Sequence, residues 1–400
     1  MPFSTLVAHL VQRPAVEHTG LSRENARFNA LTGFRCLAAC LVFVYHNRKY
    51  WRSQLHPEIL RFINELHIGV SLFFVLSGFL IAYTYGEKPL RSYGSYGKYI
   101  LLRIARIMPL YWLILTCYYL DHPYGKGAFT WLTYSLAHAF SNAHNLDGLA
   151  QAWSLNMEMI FYLLAPLLCM LQRKHVIYLL AFLVALFFLA WGVGYTWFKI
   201  NGNPQKYLYP INFLLHSTFF GRCSEFLAGM LLASIWKSGS LTLLKQLPHK
   251  TLIGFTGIFI TSYAIGLFQK NTYVHGTDTI PGLVTSLLVL PAFTIIVFAG
   301  LMQERNLVQR FFASRVMVLL GNASFAFYLI HISYVNMKIK SWVLLPDRNF
   351  ILLWIAAIIL YLFVEKPTYQ LCRRWLSRGA NRSKNQTPLL ATTHSTPHVH

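Results

Sequence analysis

Apolar residues fall in long blocks along this chain, separated by short polar segments. A block of about 17–25 residues has the length of a helix that crosses a bilayer. Such blocks lie at about 30–46, 66–85, 100–120, 152–172, 176–198, 211–236, 251–269, 281–302, 316–337 and 349–365. The pattern predicts an all-α polytopic membrane protein of about ten transmembrane helices. A shorter apolar stretch within 129–140 is too short to cross and is expected to be re-entrant or interfacial. No internal repeat is visible and no soluble domain is appended. The expected organisation is a cytoplasmic N-terminal segment over 1–26, a membrane domain over 27–368 and a polar, disordered tail over 369–400.

Composition narrows the class further. Of the 400 residues, 55% are hydrophobic and only 12% are charged, with a mean hydropathy of +0.44. A soluble chain carries roughly twice that charge fraction. Collagenous, disordered and disulfide-stapled classes are excluded on the same figures. Lys and Arg number 35 against 13 Asp and Glu, for a net charge of +22. On a soluble chain that excess would suggest nucleic acid. Here the basic residues flank apolar blocks, so no nucleic-acid partner is expected. Topology, and anionic lipid or a phosphorylated ligand, account for them better.

The distribution of charge sets the orientation. With the N-terminus inside, the inner segments hold 22 Lys and Arg and the outer segments 11, while Arg35 and Arg222 lie within spans. The excess places both termini in the cytoplasm of a multi-pass plasma-membrane protein, of the bacterial inner-membrane kind. The outer segment 47–65, with Arg48, Lys49, Arg52 and Arg61, runs against the trend without reversing it. Residues 1–26 show no long apolar core of a secretory signal. The six cysteines form no CxxC and no Cys/His cluster of zinc spacing, so no metal site is expected. Disorder explains the tail histidines His394, His398 and His400 as well as adventitious metal binding does.

Ionisable groups inside the spans are the candidates for chemistry, because each is costly in hydrocarbon. Arg35 and His46 lie eleven residues apart in the first span, three turns plus about 20°, and so face one direction about 16 Å apart along the axis. That spacing suits a ligand reaching across part of the membrane. Equally, Arg35 can snorkel inward while His46 caps the outer end. Ser77-Gly78 interrupts the second span, where close helix packing is the simpler explanation. Arg103 and Arg106 share a face at the entry of the third span; a positive-inside anchor explains them, and a phosphate patch is the sharper alternative.

Glu158 sits in the fourth span with Ser154 and Tyr162 on the same face, and a carboxylate there wants a cation or a proton. Arg222 and Glu225, at i,i+3, can simply pair with each other. His331 in the ninth span is by default a satisfied structural histidine. Together these groups must face the interior of the bundle, which implies a polar cavity between helices. No Walker loop, GxSxG elbow or HExxH motif is present.

At this level the chain resembles the membrane acyltransferase-3 family. The motifs occur in order over about 27–368: Arg35 and His46 as an Arg-x10-His pair, GVSLFFVLSGFLI at 69–81, RIARIMP at 103–109, WSLNMEMIFY at 153–162, RCSEFLAGM at 222–230, FAFYLIH at 325–331 and EKP at 365–367. The resemblance implies an integral-membrane O-acyltransferase, most simply an O-acetyltransferase of polysaccharides such as lipopolysaccharide, drawing on cytosolic acyl-CoA. His46 would be the general base and Arg35 would orient the thioester or stabilise the oxyanion. Arg103 and Arg106 would hold coenzyme A phosphates, and Glu158 would polarise groups in the cavity. Ser154, Tyr162, Arg222, Glu225 and His331 complete the expected substrate-binding set. No bound cofactor is implied, and the expected partners are membrane lipid, acyl-CoA and a carbohydrate or lipid-linked glycan.

Thr32 and Ser71 depart from positions that are often acidic in the family. The extracellular esterase-like domain of some members is not seen in the sequence, and the expectation is the stand-alone type of enzyme. A transporter or flippase would use the same kind of cavity, although no matching halves with broken helices are seen. An acyltransferase acting on a small secondary metabolite is the remaining alternative.

Overall fold

The computed structural model describes residues 21–51, 53–87, 93–122, 130–202, 205–239, 246–269, 275–342 and 346–385. The long helices are α1 (Leu21–Asn47), α2 (Gly69–Tyr85), α3 (Tyr93–Asp121), α4 (Trp153–Lys174), α5 (Val176–Asn201), α6 (Phe219–Ser238), α7 (Lys250–Leu267), α8 (Leu290–Gln303), α9 (Arg315–Ile330), α10 (Pro346–Leu360) and α11 (Lys366–Asn385). Among the described residues there is no β-strand, only an isolated bridge between Ser141 and Tyr207. The polytopic all-α class expected from the apolar blocks is the class observed.

Polar residues punctuate the helices where the sequence breaks. His175 alone separates α4 from α5, and its Nδ1 accepts from the Ile177 amide at 3.2 Å as an N-cap. Gly202 closes α5 with φ 65°, a left-handed C-terminal residue that costs glycine nothing. Ser314 caps α9 by accepting from the Met317 amide. α5 presents Val184, Phe188, Leu189 and Trp197 outward, a surface stable only against lipid.

The helix count differs from ten. Among the described residues, eight helices are long and apolar enough to cross a membrane. A ninth is reached if Arg315–Ile330 and Tyr334–Ser341, bent by 87°, count as one span. The block at 211–236 is the main departure. It breaks at Thr218, whose backbone is extended at φ −130°, ψ 158°, into a short helix Ile211–Ser217 and α6. α6 carries Arg222, Glu225 and Lys237, and it tolerates them because it is packed inside the bundle against α2.

That packing is backbone against backbone. A Cβ on Gly78 would lie 2.1 Å from the Phe226 carbonyl oxygen, and one on Gly229 would lie 1.9 Å from that of Val75. Each helix thus offers a glycine to the other's main chain, the small-residue contact typical of membrane helices. α1 and α9 meet in the same way, with Gly321 against the Thr32 carbonyl.

One further expectation needs adjusting. Residues 369–385, assigned to a disordered tail, continue helix α11, which carries Arg373, Arg374 and Arg378 beside exposed Leu371 and Trp375. An amphipathic basic helix of this kind is ordered by one apolar side rather than by average hydropathy. Residues 386–400 and 1–20 lie outside the described residues. The stretch within 129–140 forms a helical turn at Thr130–Tyr134 and a 3-10 turn at Ala137–Phe140. It is tied to α3 and α4 by Tyr111 Oη donating to Thr133 O at 2.6 Å and Asn156 Nδ2 donating to Leu136 O at 3.1 Å.

Candidate active site: a basic cavity and a histidine cluster

A cavity of about 280 Å³ opens between α1, α2, α3, α4 and α9. Along α2 its lining runs from Val70 to Thr84, about 21 Å at 1.5 Å per residue. Arg35, Arg103 and Arg106 supply its cations. Ser154, Glu158 and Tyr162 line it from α4, and Phe325 and Tyr328 from α9.

The groups in this cavity are held in place. Ser77 Oγ donates to Glu158 Oε1 at 2.8 Å, and the Tyr162 hydroxyl donates to the same oxygen. Ser77-Gly78 therefore does two things: Gly78 packs against α6 while Ser77 anchors the carboxylate. Arg103 is framed by Tyr85, Tyr99 and Tyr162, with ring centroids 5.7, 5.7 and 5.5 Å from its guanidinium carbon. It also donates to Tyr85 Oη at 3.4 Å, so its direction is fixed by aromatic faces rather than by a carboxylate. Arg35 lies 6.0 Å from the Phe73 ring centroid, in the field of Arg106, Glu365 and Glu158. Glu365 is 5% exposed and its Oε2 accepts no hydrogen bond.

Of the residues singled out in the sequence, the cavity brings together Arg35, Arg103, Arg106, Ser154, Glu158 and Tyr162. It leaves out four. Arg222 and Glu225 pair with each other through two hydrogen bonds of 3.0 and 2.6 Å, and Arg222 also donates to Ser71 Oγ at 2.8 Å. This buried pair is the simpler of the two readings of i,i+3 spacing. His46 lies at the far end of α1, exposed, with its ring centroid 5.1 Å from that of His331. His331 is itself 5.3 Å from Tyr328, which lines the cavity. Ring contacts through Tyr328 and His331 thus link the wall of the basic cavity to His46.

A second cavity, of about 180 Å³, lies near the His46 end. His67, Trp153, His216, Arg222, His275 and Asp278 are among its lining residues. The consecutive residues Trp153 and Ser154 line one cavity each. Sequence reasoning passed over Ser77, Tyr328 and Glu365 as functional groups. Glu365 was visible as an acidic residue closing an apolar block, and Tyr328 as the neighbour of His331. Ser71 stood out only as a departure from the family pattern, and its partner Arg222 on α6 is visible only in three dimensions.

The comparisons with known proteins agree with this reading of the chain. Residues 28–365 match the family model described as an acyltransferase domain, the acyltransferase-3 family, and the chain belongs to that family. It is 28% identical over 332 residues to the acyltransferase MdmB of Streptomyces mycarofaciens, covering 78% of this chain and 79% of that one. It is 24% identical over 374 residues to the O-acetyltransferase OatA of Staphylococcus aureus, covering 84% of this chain and 56% of that one. The chain thus spans about half the length of the staphylococcal relatives it matches. No solved structure matches it significantly.

Proposed function

We propose that this chain is an integral-membrane O-acyltransferase that moves an acyl group, most simply acetyl, from acyl-CoA to a hydroxyl of a carbohydrate acceptor. The observation that carries the proposal is the elongated cavity with Arg35, Arg103 and Arg106 on its wall. Coenzyme A is an anion with a long, thin pantetheine arm. Guanidinium groups recognise its phosphates with paired hydrogen bonds, and a narrow slot suits the arm. Membership of the acyltransferase family and the O-acetyltransferase name of one relative support the reaction class.

In the proposed reaction the acceptor hydroxyl oxygen attacks the thioester carbonyl carbon. His46 takes the hydroxyl proton as the new C–O bond forms. Arg35, about 16 Å from His46 along α1, positions the pantetheine arm that carries the thioester. The C–S bond then breaks, and the coenzyme A thiolate leaves, taking up a proton. Trp153 in the second cavity offers a ring on which a sugar face can stack, with His216 and Asp278 as polar partners.

This reading has both termini on the cytosolic side, with α6 as an additional crossing. Its twenty residues reach about 30 Å. Reporter fusions after residues 26 and 380 test the orientation, and an export-dependent signal at either end overturns it. The activity is tested on the purified protein. Release of free coenzyme A thiol from acetyl-CoA, dependent on an added glycan acceptor, is the expected result. Movement of glycan across a vesicle membrane with no thioester consumed would replace the enzyme by a transporter.

A further inference from the structure

Near His46, outside the basic cavity, three metal-ligating side chains converge. Glu65 precedes, and His67 lies within, the short 3-10 turn Leu66–Ile68 that leads into α2, and His275 precedes the turn Gly276–Asp278 between α7 and α8. One donor atom from each lies within 4.8 Å of the other two. We propose that Glu65, His67 and His275 bind a divalent transition-metal ion, zinc by preference, with a fourth position open toward the 180 Å³ cavity.

The hydrogen bonds around the cluster select the donor atoms. The Glu65 side chain is fully buried. Its Oε1 is satisfied twice, by the Gly276 amide at 2.7 Å and by Gln269 Nε2 at 2.6 Å. Its Oε2 accepts no hydrogen bond, although it is buried. A carboxylate oxygen left bare in the interior is strongly unfavourable unless a cation faces it. His67 Nδ1 lies 3.8 Å from Oε2 and 3.4 Å from the Asn64 carbonyl oxygen, a contact it would exchange for the ion. Donors 2.1 Å from one tetrahedral ion lie about 3.4 Å apart, so Glu65 Oε2 and His67 Nδ1, at 3.8 Å, need to close by only a few tenths of an ångström.

The surroundings fit a metal-bound imidazole. His275 Nε2 lies 3.0 Å from Tyr45 Oη, so the nitrogen away from the proposed ion can donate to the phenol. A ligand histidine is ordinarily oriented in that way. Two imidazoles and one carboxylate with a vacant position are a donor set suited to zinc. His67 and His275 both line the second cavity, which gives the ion an entry path and room for a water or hydroxyl oxygen. Glu65 and His67 are two residues apart but His275 is distant in sequence, which is why no zinc spacing announced the set.

The proposal does not depend on acyl transfer, and neither does its test. The full chain, purified in detergent without chelator, is expected to carry about one zinc per chain by plasma emission spectrometry. Cobalt added to chelator-stripped protein is expected to give the visible absorption of tetrahedral Co²⁺. Glu65→Gln keeps the shape and can still accept from Gly276, and it is expected to abolish both signals while eluting as the parent does on size exclusion. Exchange of His394, His398 and His400 to Ala is expected to leave both signals intact. Stripped parent protein that takes up neither zinc nor cobalt overturns the proposal whatever the variants do. So does a signal that survives Glu65→Gln and vanishes with the tail histidines.

Discussion

The imidazole rings of His46 and His331 face each other with centroids 5.1 Å apart and planes at 54°, one at the end of α1 and the other at the end of α9. His331 Nδ1 lies 2.5 Å from the Tyr328 carbonyl oxygen, which makes Nδ1 the protonated nitrogen. Its Nε2 therefore carries the lone pair and makes no hydrogen bond within the protein. His46 is the exposed member of the pair, reachable by an acceptor, and His331 is 1% exposed. The division follows from burial: the accessible imidazole can take a proton from substrate, and the buried one can hold its neighbour in place.

From that arrangement His46→Ala is expected to slow acyl transfer by about 10²–10⁴-fold, the usual effect of losing a general base. That corresponds to roughly 3–5 kcal/mol of barrier. Acyl-CoA affinity, measured on the same purified sample, is expected to stay near the parental value, because the Arg cavity is untouched. His331→Ala is expected to cost less in turnover than His46→Ala. Near-parental turnover in His46→Ala with a large loss in His331→Ala would exchange the two roles.

Much of this was legible in the sequence, and the exceptions have a common cause. Periodicity put Ser154, Glu158 and Tyr162 on one face of α4, and the Tyr162 hydroxyl indeed donates to Glu158. The i,i+3 rule found the Arg222–Glu225 pair. Both are local relations along one helix. Ser71 on Arg222, Ser77 on Glu158 and His275 beside Glu65 join distant segments, and no spacing rule reaches across the bundle. The 211–236 block was read as unbroken for a different reason. Its average hydropathy hides the break at Thr218, and a helix surrounded by protein need not look like one surrounded by lipid.

The glycine contacts between α2 and α6 give a stability prediction. Gly229→Ala places a Cβ 1.9 Å from the Val75 carbonyl oxygen, and a main-chain oxygen cannot swing aside as a side chain can. Overpacking of this kind costs about 1–3 kcal/mol or more. A clear fall in the unfolding temperature in detergent is expected. Gly97→Ala in α3, where nothing lies within 4 Å, is the matched control and is expected to be neutral or slightly stabilising. Equal melting of the two variants would mean that α2 and α6 are not in backbone contact.

The Arg222–Glu225 pair gives a second. Arg222→Ala strands a fully buried carboxylate, and breaking such a pair costs about 3–5 kcal/mol. Replacing both partners, as Arg222→Met with Glu225→Leu, removes both buried charges and is expected to recover most of the loss. If the pair serves only to join α6 to α2 through Ser71, the double variant should also keep its acyl-CoA affinity. A stable double variant that no longer consumes acyl-CoA would instead put these two side chains on the substrate.

Arg106 offers the sharpest separation between a topology anchor and a ligand site. It lines the cavity with Arg35 and Arg103, and its charge also acts on Arg35 and on buried Glu365. An anchor needs only positive charge near the membrane surface, whereas a phosphate site needs the planar fork as well. Charge-assisted hydrogen bonds contribute about 1.5–3 kcal/mol each, so Arg106→Ala is expected to weaken acyl-CoA binding about 10–100-fold. Arg106→Lys is expected to fall between parent and Ala. Added salt should narrow the gap between parent and Ala, since screening acts only on the charge that the variant has lost. Calorimetric titration with acetyl-CoA at low and high salt measures all three. Identical affinities for parent, Lys and Ala variants would leave Arg106 as an anchor and move the phosphate contacts to Arg35 and Arg103.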